Sequence, residues 1–429
     1  MKWLAPVFLI LAMAPAHAES LWVQATASGY EARIATTAAI CPALSTDVGE
    51  FAMTVRAAAN ENFPLVCAAP VPQGARSANI AGQALPLPVA KPERILVLGD
   101  TGCRIQGAAL QACNDPAQWP FATLAAAAAR LKPDLVVHVG DYHYRESPCP
   151  PSFAGCAGSP FGDNWPTWQA DFFTPAAPLL SAAPVLLVRG NHEDCDRAWQ
   201  GWQRALSAFA FSPVCTPHEP LFTLDIGAVR LAVMDDASAP ETSVNKTDLP
   251  AYTSEIASLA SIPAPVWFVH HRPIWAAITG PLGIPAGGNR TLIAAATAAG
   301  GIAAATAAGG TAVAGGKLIP DTVELQLSGH IHSFEALNYD KGVPPQIVAG
   351  HGGDNLHATP QNLWGAVFMG DSRVRVLDGL SVDGFGFMLM TKGEGGWAMD
   401  LYDSEGRQTR QCHFADASSG KPPRVSCPP

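Results

Sequence analysis

The chain has 429 residues, a formal net charge of −10 and only 14% charged residues. It contains no run of Lys or Arg, which argues against a nucleic acid held by its phosphate charge. The acidic balance does not exclude a small anionic substrate, because bound cations can supply positive charge locally.

Taken in order, Met1 to Ala18 reads as an export signal. Lys2 is its positive end, Trp3 to Pro15 its short apolar run, and Ala16-His17-Ala18 a small-x-small cleavage site before Glu19. The apolar run is shorter than the roughly 20 residues that cross a bilayer, and no longer candidate follows. Export to a periplasm or out of the cell, without stable membrane insertion, is the expectation; an uncleaved anchor is the alternative. Removal leaves about 410 residues, room for one large core and a small domain.

All ten cysteines lie after the expected cut. An even number in an exported chain reads as disulfides rather than thiolate metal ligands. Pairing sequence neighbours gives 41–67, 103–113, 149–156, 195–215 and 412–427, a connectivity that the sequence leaves open.

Residues 19–92 are expected to form a small β-rich domain. Leu21–Ala25, Arg33–Thr37 and Phe51–Arg56 have strand character, and Pro86, Pro88 and Pro92 make a stiff connector. The plain reading is a packing cap; the sharper one is a module that binds a surface or polymer. Residues 93–429 form the second expected domain, ending in a tail with Cys412 and Cys427.

Within it, five apolar runs of strand length end in polar residues. Ile95–Leu98 precedes Gly99-Asp100. Trp119–Leu131 follows as an Ala-rich helix, and Leu135–Val139 then precedes Gly140-Asp141-Tyr142-His143-Tyr144. Val185–Val188 precedes Arg189-Gly190-Asn191-His192-Glu193. Val266–Val269 precedes His270-His271, and Val323–Leu327 precedes Ser328-Gly329-His330-Ile331-His332. A carboxylate at a buried strand tip is costly unless it is paired or binds a metal. In α/β sheets such tips lie together beyond the carboxyl ends of the strands. Pooled there, oxygen and imidazole donors suit a pair of metal ions.

Other segments carry weaker signals. Residues 145–178 are a long insertion in which Trp165 and Trp168 either wall a cleft or anchor the loop. Phe222–Asp225 and Val229–Met234 read as a hairpin ending at Asp235-Asp236, which serve as a strand-end cap or as extra ligands. Residues 293–301 and 302–310 repeat Ile-Ala-Ala-Ala-Thr-Ala-Ala-Gly-Gly, read as a duplication in a surface segment. Further strands are expected at 346–349, 385–390 and 397–402.

The series Gly-Asp, Gly-Asp-x-x-Tyr, Gly-Asn-His-Glu, His-x-Pro and Gly-His-x-His resembles the calcineurin-like metallophosphoesterase superfamily. Tyr144 marks its purple acid phosphatase branch, and the resemblance runs over roughly residues 93 to 400. It implies an α/β fold of two mixed β-sheets packed face to face with flanking helices. It also implies two metal ions, Fe(III) plus a divalent Zn, Mn or Fe ion. The first would be held by Asp100, Asp141, Tyr144 and His332, and the second by Asp141, Asn191, His271 and His330. His271 is preferred to His270 because His271-Arg272-Pro273 fits His-x-Pro. His192 would be the general acid; its alternative is a structural hydrogen bond to Glu193 or a backbone carbonyl. Roles for His138, His143 and His351 stay open, and Arg145 and Arg272 either bind phosphate or brace loops.

The function so implied is hydrolysis of phosphate monoesters by water activated at the two metals. A phosphodiesterase or phospholipase-type phosphohydrolase on the same site is the nearest alternative. A non-catalytic secreted binding protein is the alternative of another class.

Overall fold

The computed structural model describes residues 19–279, 285–307, 317–360, 363–364, 367–368 and 371–428. The expected export signal over 1–18 lies outside them.

Period-two alternation explains the layers. In the strand Arg94–Leu98, Ile95 and Val97 enter one apolar cluster, and Leu96 and Leu98 enter another. The strand Leu135–His138 divides in the same way, with Leu135 and Val137 against Val136. The inner cluster joins these residues to Leu231, Trp267, Val269, Leu325 and Leu327 of a second sheet. The outer cluster covers them with Phe121 and Leu124 of the helix Phe121–Arg130 and with Leu179 and Leu180 of the helix Thr174–Leu180. Phe268, on the far face of the second sheet, packs on Tyr252 and Ile256 of the helix Leu249–Ser258. The result is two mixed sheets face to face with helices outside, as the motifs implied.

Among the described residues the first sheet has eleven strands and the second eight. The first is built on a parallel block of Arg94–Leu98, Leu135–His138 and Val185–Leu187. The second is built on a parallel block of Arg230–Val233, Val266–Val269, Val323–Ser328 and Gln346–Ala349. Gly386–Gly393, Gly396–Asp403, Gln408–Ala415 and Arg424–Ser426 extend one side of the first sheet.

The segment 19–92 is β-rich but continuous with this core. Ser20–Thr26 pairs in parallel with Val185–Leu187, and Gly29–Thr36, Leu65–Pro70 and Thr54–Ala57 carry the first sheet onward. These strands cover an edge of the parallel block that would otherwise expose its hydrogen-bonding groups. The expected strand Phe51–Arg56 is divided at buried Met53. Gly49–Ala52 joins a separate four-stranded sheet, and Thr54–Ala57 joins the large one.

The five neighbour-paired disulfides are all formed, each of the first four with Cα atoms 5.7 Å apart. The duplicated Ala-rich segment is not simply a surface feature. The helix Arg290–Ala307 runs through Gly300-Gly301, capped by Asn289, whose Oδ1 accepts the Leu292 N–H at 2.9 Å. Ile293, Ala295, Ala296 and Ala299 of the first copy are buried beside Tyr252 and Ile256, because small alanines let two helices approach closely. Residues 308–310 of the second copy lie outside the described residues. Among the described residues, no helix is long and apolar enough to cross a membrane.

Candidate metal centre

The five apolar strands deliver their terminal residues to one place, and the backbone there is unusual. Asp100, Asp141 and His330 have φ of 56°, 60° and 68°, left-handed conformations that L side chains rarely adopt. Each costs about 1–3 kcal/mol and persists only where the surroundings enforce it. The enforcement is visible: Asp100 N–H donates to Gly140 O, Thr101 N–H donates to Asp141 O, and His330 N–H donates to the Asp100 carboxylate. Glycines make room for the turns. A Cβ at Gly190 would stand 2.1 Å from Asp141 Oδ1, and one at Gly329 would stand 2.5 Å from Asp100 Oδ2.

The side chains form two groups that share Asp141. Tyr144 Oη lies 3.2 Å from Asp100 Oδ1, 2.8 Å from Asp141 Oδ2 and 3.1 Å from His332 Nε2. His271 Nε2 lies 3.0 Å from Asn191 Oδ1 and 3.3 Å from Asp141 Oδ2. The donor atoms of Asp141, His271 and His330 all fall within 4.8 Å of one another. Donors bound to one cation by bonds of about 2.0–2.2 Å stand roughly 3 Å apart at the edges of its coordination shell, so both groups have suitable spacing.

The electrostatics of the centre also suit cations. Burial disfavours charge on His271, yet Asp141, Asp100 and Asp236 outweigh it and push its pKa up to about 10. His332 follows the same balance: burial opposes charge, but Asp354 and Asp100 raise its pKa to about 9. Burial, then Asp141 and Asp100, push the Tyr144 phenol well above its ordinary range, so only strong positive charge beside it would favour phenolate. Burial and the neighbouring Arg272 and His271 hold His330 neutral, which leaves its imidazole free to ligate.

Buried carboxylates outside the expected ligand set hold these groups in place. Asp236 accepts the N–H of His271 and Arg272 and lies 3.0 Å from His270 Nδ1. That contact aims His270 away from the centre, while His271 Nδ1 lies 2.8 Å from Val139 O and its Nε2 faces the ligands. Glu193 accepts the N–H of Tyr142, His143 and Gly190. Asp171 accepts those of Cys103, Tyr144 and Arg145. Asp354 pairs with Arg104, whose guanidinium lies 4.7 Å from the centre of the Tyr144 ring. Asp235-Asp236 after a strand was a visible signal; Asp171, inside a long insertion, gave none.

Of the open residues, His192 stands against the Tyr144 ring at 3.8 Å, with Nδ1 2.6 Å from Glu146 Oε1. Its partner is therefore Glu146, not Glu193 or a carbonyl. His138 lies 2.9 Å from Thr101 Oγ1 and stacks on Tyr142, while His143 reaches Gly162 O. His351 is buried against Phe334 and Gly386, and burial lowers its pKa to about 4. Arg145 braces the insertion through Asp171 and Ser159. Trp165 and Trp168 are core residues, so they anchor that loop.

Comparison with known proteins bears on the family and the fold. Residues 93–334, more than half of the chain, match the family described as calcineurin-like phosphoesterase. The purple acid phosphatase PPD1 from seeds of yellow lupin (Lupinus luteus) is a similar solved structure, with 13% sequence identity and a TM-score of 0.51. That match covers 92% of this chain and 73% of the lupin chain. PhoD is similar with 10% identity and a TM-score of 0.55, covering 99% of this chain and 93% of that one. At such identities the likeness shows the fold alone. No curated protein matches the sequence. The chain belongs to the calcineurin-like phosphoesterase family and is a metal-dependent phosphoesterase.

Proposed function

We propose that the protein is an exported phosphomonoesterase of the purple acid type. The observation that carries this reading is the contact of one phenol, Tyr144, with Asp100, Asp141 and His332, beside a second group that shares Asp141. In this reading Asp100, Asp141, Tyr144 and His332 hold one cation, and Asp141, Asn191, His271 and His330 hold the other. Tyr144 favours Fe(III) in the first position, because a phenolate is a hard anionic donor; the second takes a divalent Zn, Mn or Fe ion. Two such cations would polarise phosphoryl oxygens and lower the pKa of water.

The remaining work falls to the chain. Asp141, shared by both groups, would partly screen the repulsion between two cations held there. His271, fixed through Val139 O and Asp236, keeps its Nε2 toward the centre. His192 donates a proton from Nε2 to the departing ester oxygen, with Glu146 beside Nδ1 to orient the ring. Burial opposes charge on Glu146, but His192 and Arg197 hold its pKa below the usual range, so it stays an anion. Five disulfides support export to an oxidising compartment.

Hydrolysis of nitrophenyl phosphate and bis-(nitrophenyl) phosphate by protein of measured metal content tests the reading. Faster turnover of the monoester is expected. A strong preference for the diester would replace monoesterase by phosphodiesterase, and metal-loaded protein inert toward both would sink the proposal.

A further inference from the structure

The mouth of the centre carries an anion that the family motifs do not explain. Glu241 belongs to the loop that follows Asp235-Asp236. One of its carboxylate oxygens, Oε1, lies 2.9 Å from His330 Nε2 and also pairs with Arg272 Nη1. The two partners differ in freedom. Arg272 is buried, with its Nε–H donating to Ala237 O and its backbone N–H to Asp236. The Glu241 side chain is 40% exposed.

Its backbone, by contrast, is fixed. Asn289 donates to Ala239 O, Arg290 N–H donates to Glu241 O, and Thr291 donates to Pro240 O and Ser243 O. The start of the helix Arg290–Ala307 thus holds the loop so that an otherwise mobile carboxylate reaches the mouth.

We infer that Arg272 and His330 form a seat for a phosphoryl oxygen, and that Glu241 is the resident anion filling it until substrate or product phosphate displaces it. The inference rests on the phosphoesterase reading above and adds a substrate-binding residue and a built-in competitor to it. A carboxylate and a phosphate present the same kind of oxygen to a guanidinium, so one can stand where the other binds. The anchored guanidinium stays oriented, while the exposed glutamate leaves by side-chain rotation. Each binding event must then overcome one ion pair, and the empty seat does not leave a buried guanidinium uncompensated.

The test is orthophosphate affinity by calorimetry on metal-loaded protein, with metal content measured on every sample. Glu241→Gln removes the competing charge while keeping the side chain's size, and should tighten orthophosphate binding about tenfold, as expected for a like charge removed from an anion site. Arg272→Gln should weaken it by about tenfold or more. In the Arg272→Gln background the further change Glu241→Gln should have little effect, because the two act on one seat. Unchanged or weaker phosphate binding by Glu241→Gln overturns the inference, as does loss of a metal equivalent, which would make Glu241 a ligand. Because Glu241 is partly exposed, this variant decides the matter even if Arg272→Gln fails to fold. The two readings fail separately. Protein that hydrolyses esters but shows no Glu241 effect keeps the function and loses the seat; protein that binds phosphate with the predicted shifts but hydrolyses no ester does the reverse.

Discussion

The two halves of the centre are built differently. Around Tyr144, the side chains of Asp100, Tyr144 and His332 are almost wholly buried and are backed by Arg104, Asp354, Asp171 and His357. Around His271, the ring of His330 is one-fifth exposed and meets a glutamate on the rim. One half is therefore a braced interior and the other is a doorway. Under the proposed function, the contrast would place lasting coordination of a hard cation in the first half and exchange of cation, substrate and product through the second.

The harshest way to break this comparison is to remove the group common to both halves. Asp141→Asn should empty both together and reduce activity to background, measured by elemental analysis alongside turnover. If that variant kept two metal equivalents, the halves would be independent and the shared carboxylate would be unnecessary. His192→Ala tests the space between the halves. It should keep both metals and lose about 10²–10⁴ of the rate on alkyl phosphates, but far less on nitrophenyl phosphate, whose leaving group needs no proton. Equal losses on both esters would remove the acid role.

A smaller effect sharpens the asymmetry directly. Dialysis of metal-loaded protein against a chelator should strip one equivalent quickly and the second slowly. Iron-loaded protein should be coloured, and Tyr144→Phe should bleach it. Simultaneous loss of both equivalents would contradict a braced half and an open half.

The smallest expected effect lies under the doorway. Glu335 is buried; it accepts the Ala277 N–H, just beyond His271-Arg272-Pro273, and burial raises its pKa to about 8. Below its ordinary value of 4.5 the carboxyl is protonated in folded and unfolded chains alike. Between there and about 8 only the unfolded chain ionises it, so its contribution to stability falls as pH rises through that window. Glu335→Gln should therefore match the parent's Tm near pH 4 and exceed it near pH 8. A constant difference across that range would mean that Glu335 does not change its charge on unfolding.

How much of this was readable in the sequence depended on range. The strand tips were legible because an apolar run ending in Gly-Asp or Gly-His leaves little choice of structure. The left-handed turns at Asp100, Asp141 and His330 were not, since only the packed neighbours enforce them. The Glu146 partner of His192 lies 46 positions earlier in the chain, and Arg104 and Asp354 are 250 apart. Nothing local marks such pairs. The strand character of Leu21–Ala25 and Arg33–Thr37 was legible, but their place in the catalytic sheet was not, because it is set by pairing with Val185–Leu187.

That pairing constrains the order of assembly. Gln24, near the start of the described chain, aligns with Val185, so the strand must wait for about 160 residues of later sequence before one of its two edges is covered. Such long-range closure is slow, and until it happens an apolar strand edge is open to wrong partners. Deleting 19–92 to obtain a minimal enzyme would leave Val185–Leu187 as a permanent exposed edge. The expected product is an aggregating fragment, so residues 19–92 should travel with the catalytic strands in any expression or fusion design.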